Sequence, residues 1–258
     1  MAMSLLLVSC RGNVTKGDDT DSLKAEQEKE EVKDQKAVIK HIKVMGYMAF
    51  VDADTNIVPE DEPQSVDEET YDEEGRLIFK EGLTATYETH YTYDQNGRLA
   101  KEVESWGGET TTTEYVYDEN GNLLREYDPD QDVNTLENKY DENGVKTESY
   151  EYSRYGGDCL YHNVYTFNKD GQLIRQVQSS LDSGITETTD YEYDEKGNVY
   201  QEVVKQDGEV VNTWIYQYEG YDANGNWTTL KRTNLYYSEE MEKEVEDCYV
   251  TVREIEYW

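Results

Sequence analysis

Two acidic stretches are spaced as calcium ligands would be: Asp52-Ala53-Asp54-Thr55-Asn56 and Asp128-Pro129-Asp130-Gln131-Asp132. An EF-hand loop gathers oxygen ligands in this way, but it also needs Gly at its sixth position and Glu at its twelfth. Those places hold Ile57 and Pro63 in the first stretch, Val133 and Lys139 in the second. Both are read as solvated turns, and no metal is expected. The three histidines, His41, His90 and His162, are far apart, and none has a partner at ligand spacing. No G-x-S-x-G elbow, H-E-x-x-H pair or phosphate-cradling glycine loop occurs. Paired carboxylates can hydrolyse a glycosidic bond, yet among 58 acidic residues a pair of suitable spacing arises anywhere. No catalytic residue is assigned and no cofactor is expected.

Three tryptophans remain as binding candidates: Trp106, Trp214 (within Thr213-Trp214-Ile215-Tyr216) and Trp227. Exposed aromatic platforms on a sheet can stack on sugar rings, although aromatics at period two also pack the sheet's own face. Cys159 and Cys248 are either bonded in an oxidising envelope or two free thiols. No C-x-x-C spacing suggests a metal knuckle or a thioredoxin-like redox site.

Composition limits what positions these groups. The chain has 24 Tyr against 3 Phe and 4 Trp, and only 36% of its residues are apolar. Tyr suits a half-buried pleated surface, where the ring packs and the hydroxyl meets water. The net charge is −34. Phosphate backbones and anionic membranes are recognised through Lys and Arg, so nucleic acid and bare membrane surfaces are poor partners. The excess of acid keeps an open sheet soluble and discourages pairing between edges. No stretch approaches the length of a membrane-spanning helix.

One pattern returns seven times. It begins at Tyr71-Asp72-Glu73-Glu74-Gly75 and recurs with Tyr93, Tyr117, Tyr140, Phe167, Tyr193 and Tyr221 in the leading place. The closing glycines are Gly75, Gly97, Gly121, Gly144, Gly171, Gly197 and Gly225, spaced by 22, 24, 23, 27, 26 and 28 residues. Such a period marks a repeat array. The Asp, or Asn168 in the fifth copy, opens a turn by accepting a hydrogen bond from the backbone two residues on. The Gly supplies the positive φ that a type I turn with a glycine bulge requires. Before each turn aromatics sit two apart, as in Tyr91 and Tyr93 or Tyr115 and Tyr117, so both rings share a sheet face. After it, Leu77, Leu99, Leu123, Leu173, Val199 and Trp227 hold the second place past Gly, and Lys146 departs from the rule. Counting on by twos puts Val103, Tyr127, Tyr150, Val177 and Val203 on that same face. Glu102, Thr112 and Glu114 then face solvent. The expectation is an all-β fold of tandem antiparallel β-hairpin repeats forming a long twisted, curling sheet, with a closed sandwich as the alternative.

These residues resemble the YD repeats of the RHS family, whose motif runs Y-D-x-x-G-x-L, and the resemblance covers roughly Glu69 to Trp258. In large members many dozens of repeats wind into a hollow shell around a toxin domain. Seven repeats are too few for that, so the toxin-enclosing role is not carried over.

The front end reads differently. Leu7-Val8-Ser9-Cys10 resembles a bacterial lipobox, with Cys10 the lipidated first residue of the mature protein. The apolar run before it is short and lacks a basic start, as if clipped. From Arg11 to Gly46 there is no Phe, Trp or Tyr. The expected organisation is a signal remnant over 1–10, an acidic and Lys/Glu-rich tether over 11–37, and the repeat domain over 38–258. Within that domain, Val38 to Phe50 reads as a leading strand, and Val58 to Thr70, with Pro59 and Pro63, as a loop. Acidic residues soon after the lipidated Cys imply, by resemblance, export to the bacterial cell surface. The function expected is a non-catalytic, lipid-anchored outer-membrane protein binding an extracellular glycan or protein. An envelope carbohydrate-active enzyme and a structural spacer are the rivals.

Overall fold

The computed structural model describes residues 37–238 and 243–258. Cys10 and the tether up to residue 36 lie outside the described residues. All regular structure is β. The first strands are β1 (Ile39–Val51), β2 (Ile57–Pro59), β3 (Ser65–Tyr71), β4 (Leu77–Gly82), β5 (Tyr87–Tyr93) and β6 (Leu99–Trp106). Next come β7 (Glu109–Tyr117), β8 (Leu123–Asp128), β9 (Val133–Tyr140), β10 (Lys146–Tyr152), β11 (Cys159–Phe167) and β12 (Leu173–Ser180). The chain finishes with β13 (Thr186–Tyr193), β14 (Val199–Gln206), β15 (Glu209–Tyr221), β16 (Trp227–Ser238) and β17 (Lys243–Tyr257).

From β3 onward each strand pairs antiparallel with the next, as hairpins joined by short turns must. The expected open sheet is corrected at its ends. β1 bonds β17 along one edge and β3 along the other, with Ile42 opposite both Ile255 and Glu69. The sheet is thus a closed ring of sixteen strands. The short β2 shares β1's edge with β3, lengthening the wall at one end. Most of the stretch expected as a loop, Val58 to Thr70, is therefore strand: the end of β2 and all of β3 but Tyr71. Closure removes the free edges that an open array exposes. It is a sequence-distant event, since the leading strand must meet the last.

A ring of this strand number is wide. Sixteen strands about 4.8 Å apart, tilted by about 40°, give a circular wall about 30 Å across between backbones. No apolar core fills it: among the described residues the only buried hydrophobic side chains are Ile42, Cys248 and Val250. Buried polar residues outnumber them, with Thr89, Thr113, Asp128, Asn138, Ser149, Asn163 and Thr233.

The seven turns, six opened by Asp and the fifth by Asn168, stand at one end of the ring. In the third, Asp118 Oδ1 accepts from Asn120 N at 2.9 Å and Asn122 N at 2.8 Å, and Gly121 N donates to Asp118 O at 3.1 Å. All seven glycines have positive φ, between +76° and +90°. In the first two repeats the residue after Gly, Arg76 and Arg98, reaches in two directions. Arg98 bonds its own Asp94 at 2.8 Å through Nε, and its guanidinium lies 4.5 Å from the Tyr117 ring centroid of the next repeat. Tyr117 in turn donates to Leu99 O at 2.8 Å, as Tyr93 does to Leu77 O and Tyr193 to Leu173 O. Tyr140 does the same to Leu123 O, so four repeats are fastened to their predecessors by this tyrosine, and Phe167 in the fifth copy has no hydroxyl to do so.

Candidate functional site

The two faces of the wall are assigned by pairing, since residues opposite one another share a face. Tyr91 stands opposite Glu102, Glu102 opposite Thr113, and Tyr115 opposite Glu126. His90 stands opposite Val103, and Val103 opposite Thr112. The tyrosine face is the inner, concave one, because its side chains meet across intervening strands. Tyr87 passes over Gly82, where a Cβ would collide with the ring, and donates to Asp67 at 2.8 Å two strands away. Arg154, after β10, bonds Thr113 Oγ1 on β7 at 3.2 Å.

This corrects the expected faces. The aliphatic positions Val103, Val177 and Val203 point outward, as do Tyr127 and Tyr150, while Glu102 points inward. The cause is a one-residue bulge beside the turn: Tyr93 opposes Leu99 but Tyr91 opposes Glu102, so the phase reverses within β6. The same shift recurs beside Tyr71, Tyr117, Phe167 and Tyr193. Thr112 and Glu114 do face outward. A count by twos cannot register a bulge that lies between the turn and the strand.

The inner face is therefore lined by tyrosines, carboxylates and amides. Tyr115 donates to Glu102 at 2.7 Å, and Tyr165 bonds Ser149 at 2.8 Å. Asn163 is wholly buried and takes part in bonds with Glu151, Gln176 and Gln178. Burial raises the phenol pKa of Tyr71, Tyr91, Tyr115 and Tyr216, and that of Tyr191 to about 12. Burial, with Glu102 and Glu151 nearby, pushes Glu126 up to about 6. Glu202 is also raised by burial, against a hydrogen bond from Tyr216. Burial lowers Lys146, whose ammonium lies 4.2 Å from the Tyr165 ring centroid, so the repeat without Leu places a cation inside.

The outer face is different. Glu88, Lys101, Glu114, Arg125, Lys139, Glu148, Arg175, Asp190 and Lys205 all point outward. A membrane-spanning barrel presents an apolar band to lipid, and this wall presents charge to water.

The predicted residues fall as follows. Trp106 is 63% exposed at the rim opposite the turns. Trp214 and Trp227 are half-buried on the inner face, where Trp227 lies 5.8 Å from Tyr218 and 4.1 Å from the Arg253 guanidinium. His41, His90 and His162 all face outward: His162 stacks on Tyr150 at 4.6 Å, and His41 lies 3.4 Å from Glu68. Cys159 and Cys248 are free thiols. The first acidic stretch folds onto itself, with Asp52 Oδ1 accepting from Asp54 N and Asn56 N. In the second, Asp128 is 2% exposed and meets Arg154 Nη1 at 3.0 Å, an ion pair without hydrogen-bond alignment. Among the described residues no group of His, Cys, Asp and Glu is placed to hold a metal ion. Sequence reading missed Glu102, Glu126, Glu202 and Arg232 as inward residues. Only the bulge positions could have signalled the first three.

No protein-family model matches the chain, and no curated protein matches it. Among solved structures, that of TcdB2-TccC3-Cdc42 is similar at 15% identity and a TM-score of 0.33, over 78% of this chain and 12% of that one. A porin-like protein from Bacteroides uniformis is similar at 12% identity and a TM-score of 0.34, over 84% of this chain and 96% of that one. Likenesses this distant transfer no function.

Proposed function

We propose that the chain is a non-catalytic binding module of the bacterial cell envelope, a short relative of the RHS/YD-repeat proteins held by lipid at Cys10. One observation carries the reading. A ring of sixteen strands has a concave face of tyrosine rings, carboxylates and amides where a self-contained fold would place an apolar core. Such a surface offers flat apolar area and directed hydrogen bonds together, which is the make-up of a binding site. The outer wall is charged, so attachment to a membrane falls to the lipid anchor.

Protease shaving of intact cells, followed by blotting for the ring, tests the location; the expected result is loss of the signal before lysis. Capture of envelope or host-surface material by the full chain tests the face. Tyr115→Ser on the inner face should weaken capture and Tyr150→Ser on the outer face should not. Equal effects, or none, sink the reading.

A second reading has one observation in its favour. Glu102, Glu126 and Glu151 face inward on β6, β8 and β10, and Glu126 titrates at about 6, where a general acid works. A carbohydrate-active enzyme would lose turnover in Glu126→Gln, whereas a binding module keeps its capture.

A further inference from the structure

The wall of the ring is not uniform in height. No strand from β3 to β14 exceeds nine residues, whereas β15, β16 and β17 have 13, 12 and 15. Their inward positions carry a different set of side chains. Trp214 stands between Glu202 and Asn234, and Arg232 between Tyr216 and Tyr249. The Trp214 and Tyr249 rings lie 6.0 Å apart with their planes at 37°. The Arg232 guanidinium sits 5.8 Å from the Tyr249 ring centroid.

Two polar atoms here are left over. Arg232 Nε and Asn234 Oδ1 are shut off from solvent and have no hydrogen-bond partner. Buried polar atoms are nearly always satisfied, so an orphan asks what satisfies it. These two are on inward positions of one strand, two residues apart, beside the aromatic pair.

We infer that this inner wall of β15, β16 and β17 is a subsite for one neutral pyranose ring of an oligosaccharide. The inference rests on reading the concave face as the binding surface. A pyranose has an apolar C–H face and a rim of hydroxyls. Trp214 and Tyr249 provide rigid aromatic area for the first. Arg232 and Asn234 donate through their other N–H groups and Glu202 accepts for the second. Charge selects against the alternatives. Glu202 and Asp247, opposite Asn234, repel an anionic polysaccharide, and Arg232 among the rings repels a cationic group.

The test is calorimetric titration of the full chain with maltohexaose, cellohexaose, mannohexaose and hexa-N-acetylchitohexaose, and with a heparin hexasaccharide as the anionic control. At least one neutral hexasaccharide should bind and heparin should not. Trp214→Ala and Asn234→Ala should each weaken binding by about tenfold, and Trp214→Phe, which keeps a platform, by about threefold. Trp106→Ala at the rim should change nothing. Neutral-sugar binding that ignores Trp214 and Asn234 overturns the subsite but leaves the concave face as a binding surface. No neutral-sugar binding, with capture still sensitive to Tyr115→Ser, also overturns the subsite alone. Capture that is insensitive to the inner face overturns both.

Discussion

The two ends of the ring are built by opposite rules. At one end seven turns repeat a single local device: Asp, or Asn168 in the fifth, caps the backbone of the residues two and four ahead, and Gly takes the positive φ. At the other end no one device serves throughout. Gly107-Gly108 and Asp207-Gly208 are two-residue turns with positive φ at both places, and the loops after Ser153 and Ser180 share a second pattern. Exposed Leu83, Tyr155, Leu181 and Val210 stand among them. The repeated end holds register and, through Tyr93, Tyr117, Tyr140 and Tyr193, fastens four hairpins to those before them. The other end uses several loop forms.

One buried contact interrupts this contrast and gives the largest expected effect. Asp128 at the variable end is almost fully buried against Arg154, so Asp128→Ala leaves a cation without its partner. Urea denaturation should show a loss of about 3 kcal/mol. A loss no larger than that of a surface change would mean the variable end has no anchor of its own.

Gly121→Val tests the repeated end. At φ +90° a β-branched residue is strained, and the cost should be about 2 kcal/mol. An unchanged urea midpoint would show that the turn relaxes freely.

Titration separates the turns from the inner wall. Asp118 and Asp94 are held below their usual 3.8, Asp118 first by the Asn122 side chain and Asp94 first by the Arg98 backbone N–H. A lowered carboxylate stabilises the fold above its unfolded value, and that contribution drains as pH falls through the lowered one. Glu126 is the reverse. Raised from 4.5 to about 6, it keeps a proton in the folded ring that the unfolded chain has released. The folded state then binds more protons in that window, so stability falls as pH rises through it. The Tm of the full chain should peak near about pH 5, and Glu126→Gln should flatten only the alkaline limb. An unaltered alkaline limb would show that Glu126 is not the group responsible.

Trp106→Ala is the smallest change. The side chain is 63% exposed at the variable rim, and its removal should shift stability by less than about 0.5 kcal/mol. A larger loss would mean that this rim packs as the turn end does.

The sequence determined the local half of this protein. Tyr-Asp-x-x-Gly, read by hydrogen-bonding capacity and positive φ, located all seven turns and, apart from β3, which falls in the stretch expected as a loop, the strands beside them, because a turn is settled by four or five neighbouring residues. Alternation along one strand also puts Tyr91 on the side opposite His90. The tertiary structure decided the rest. Whether β1 meets β17 depends on the twist summed over the whole sheet, and no segment carries that sum. Which face Glu102 and Val103 occupy depends on a bulge seen only once two strands are paired. The meeting of Trp214, Arg232 and Tyr249 follows from the register of three long strands, which is fixed between chain segments and leaves no period in any one of them.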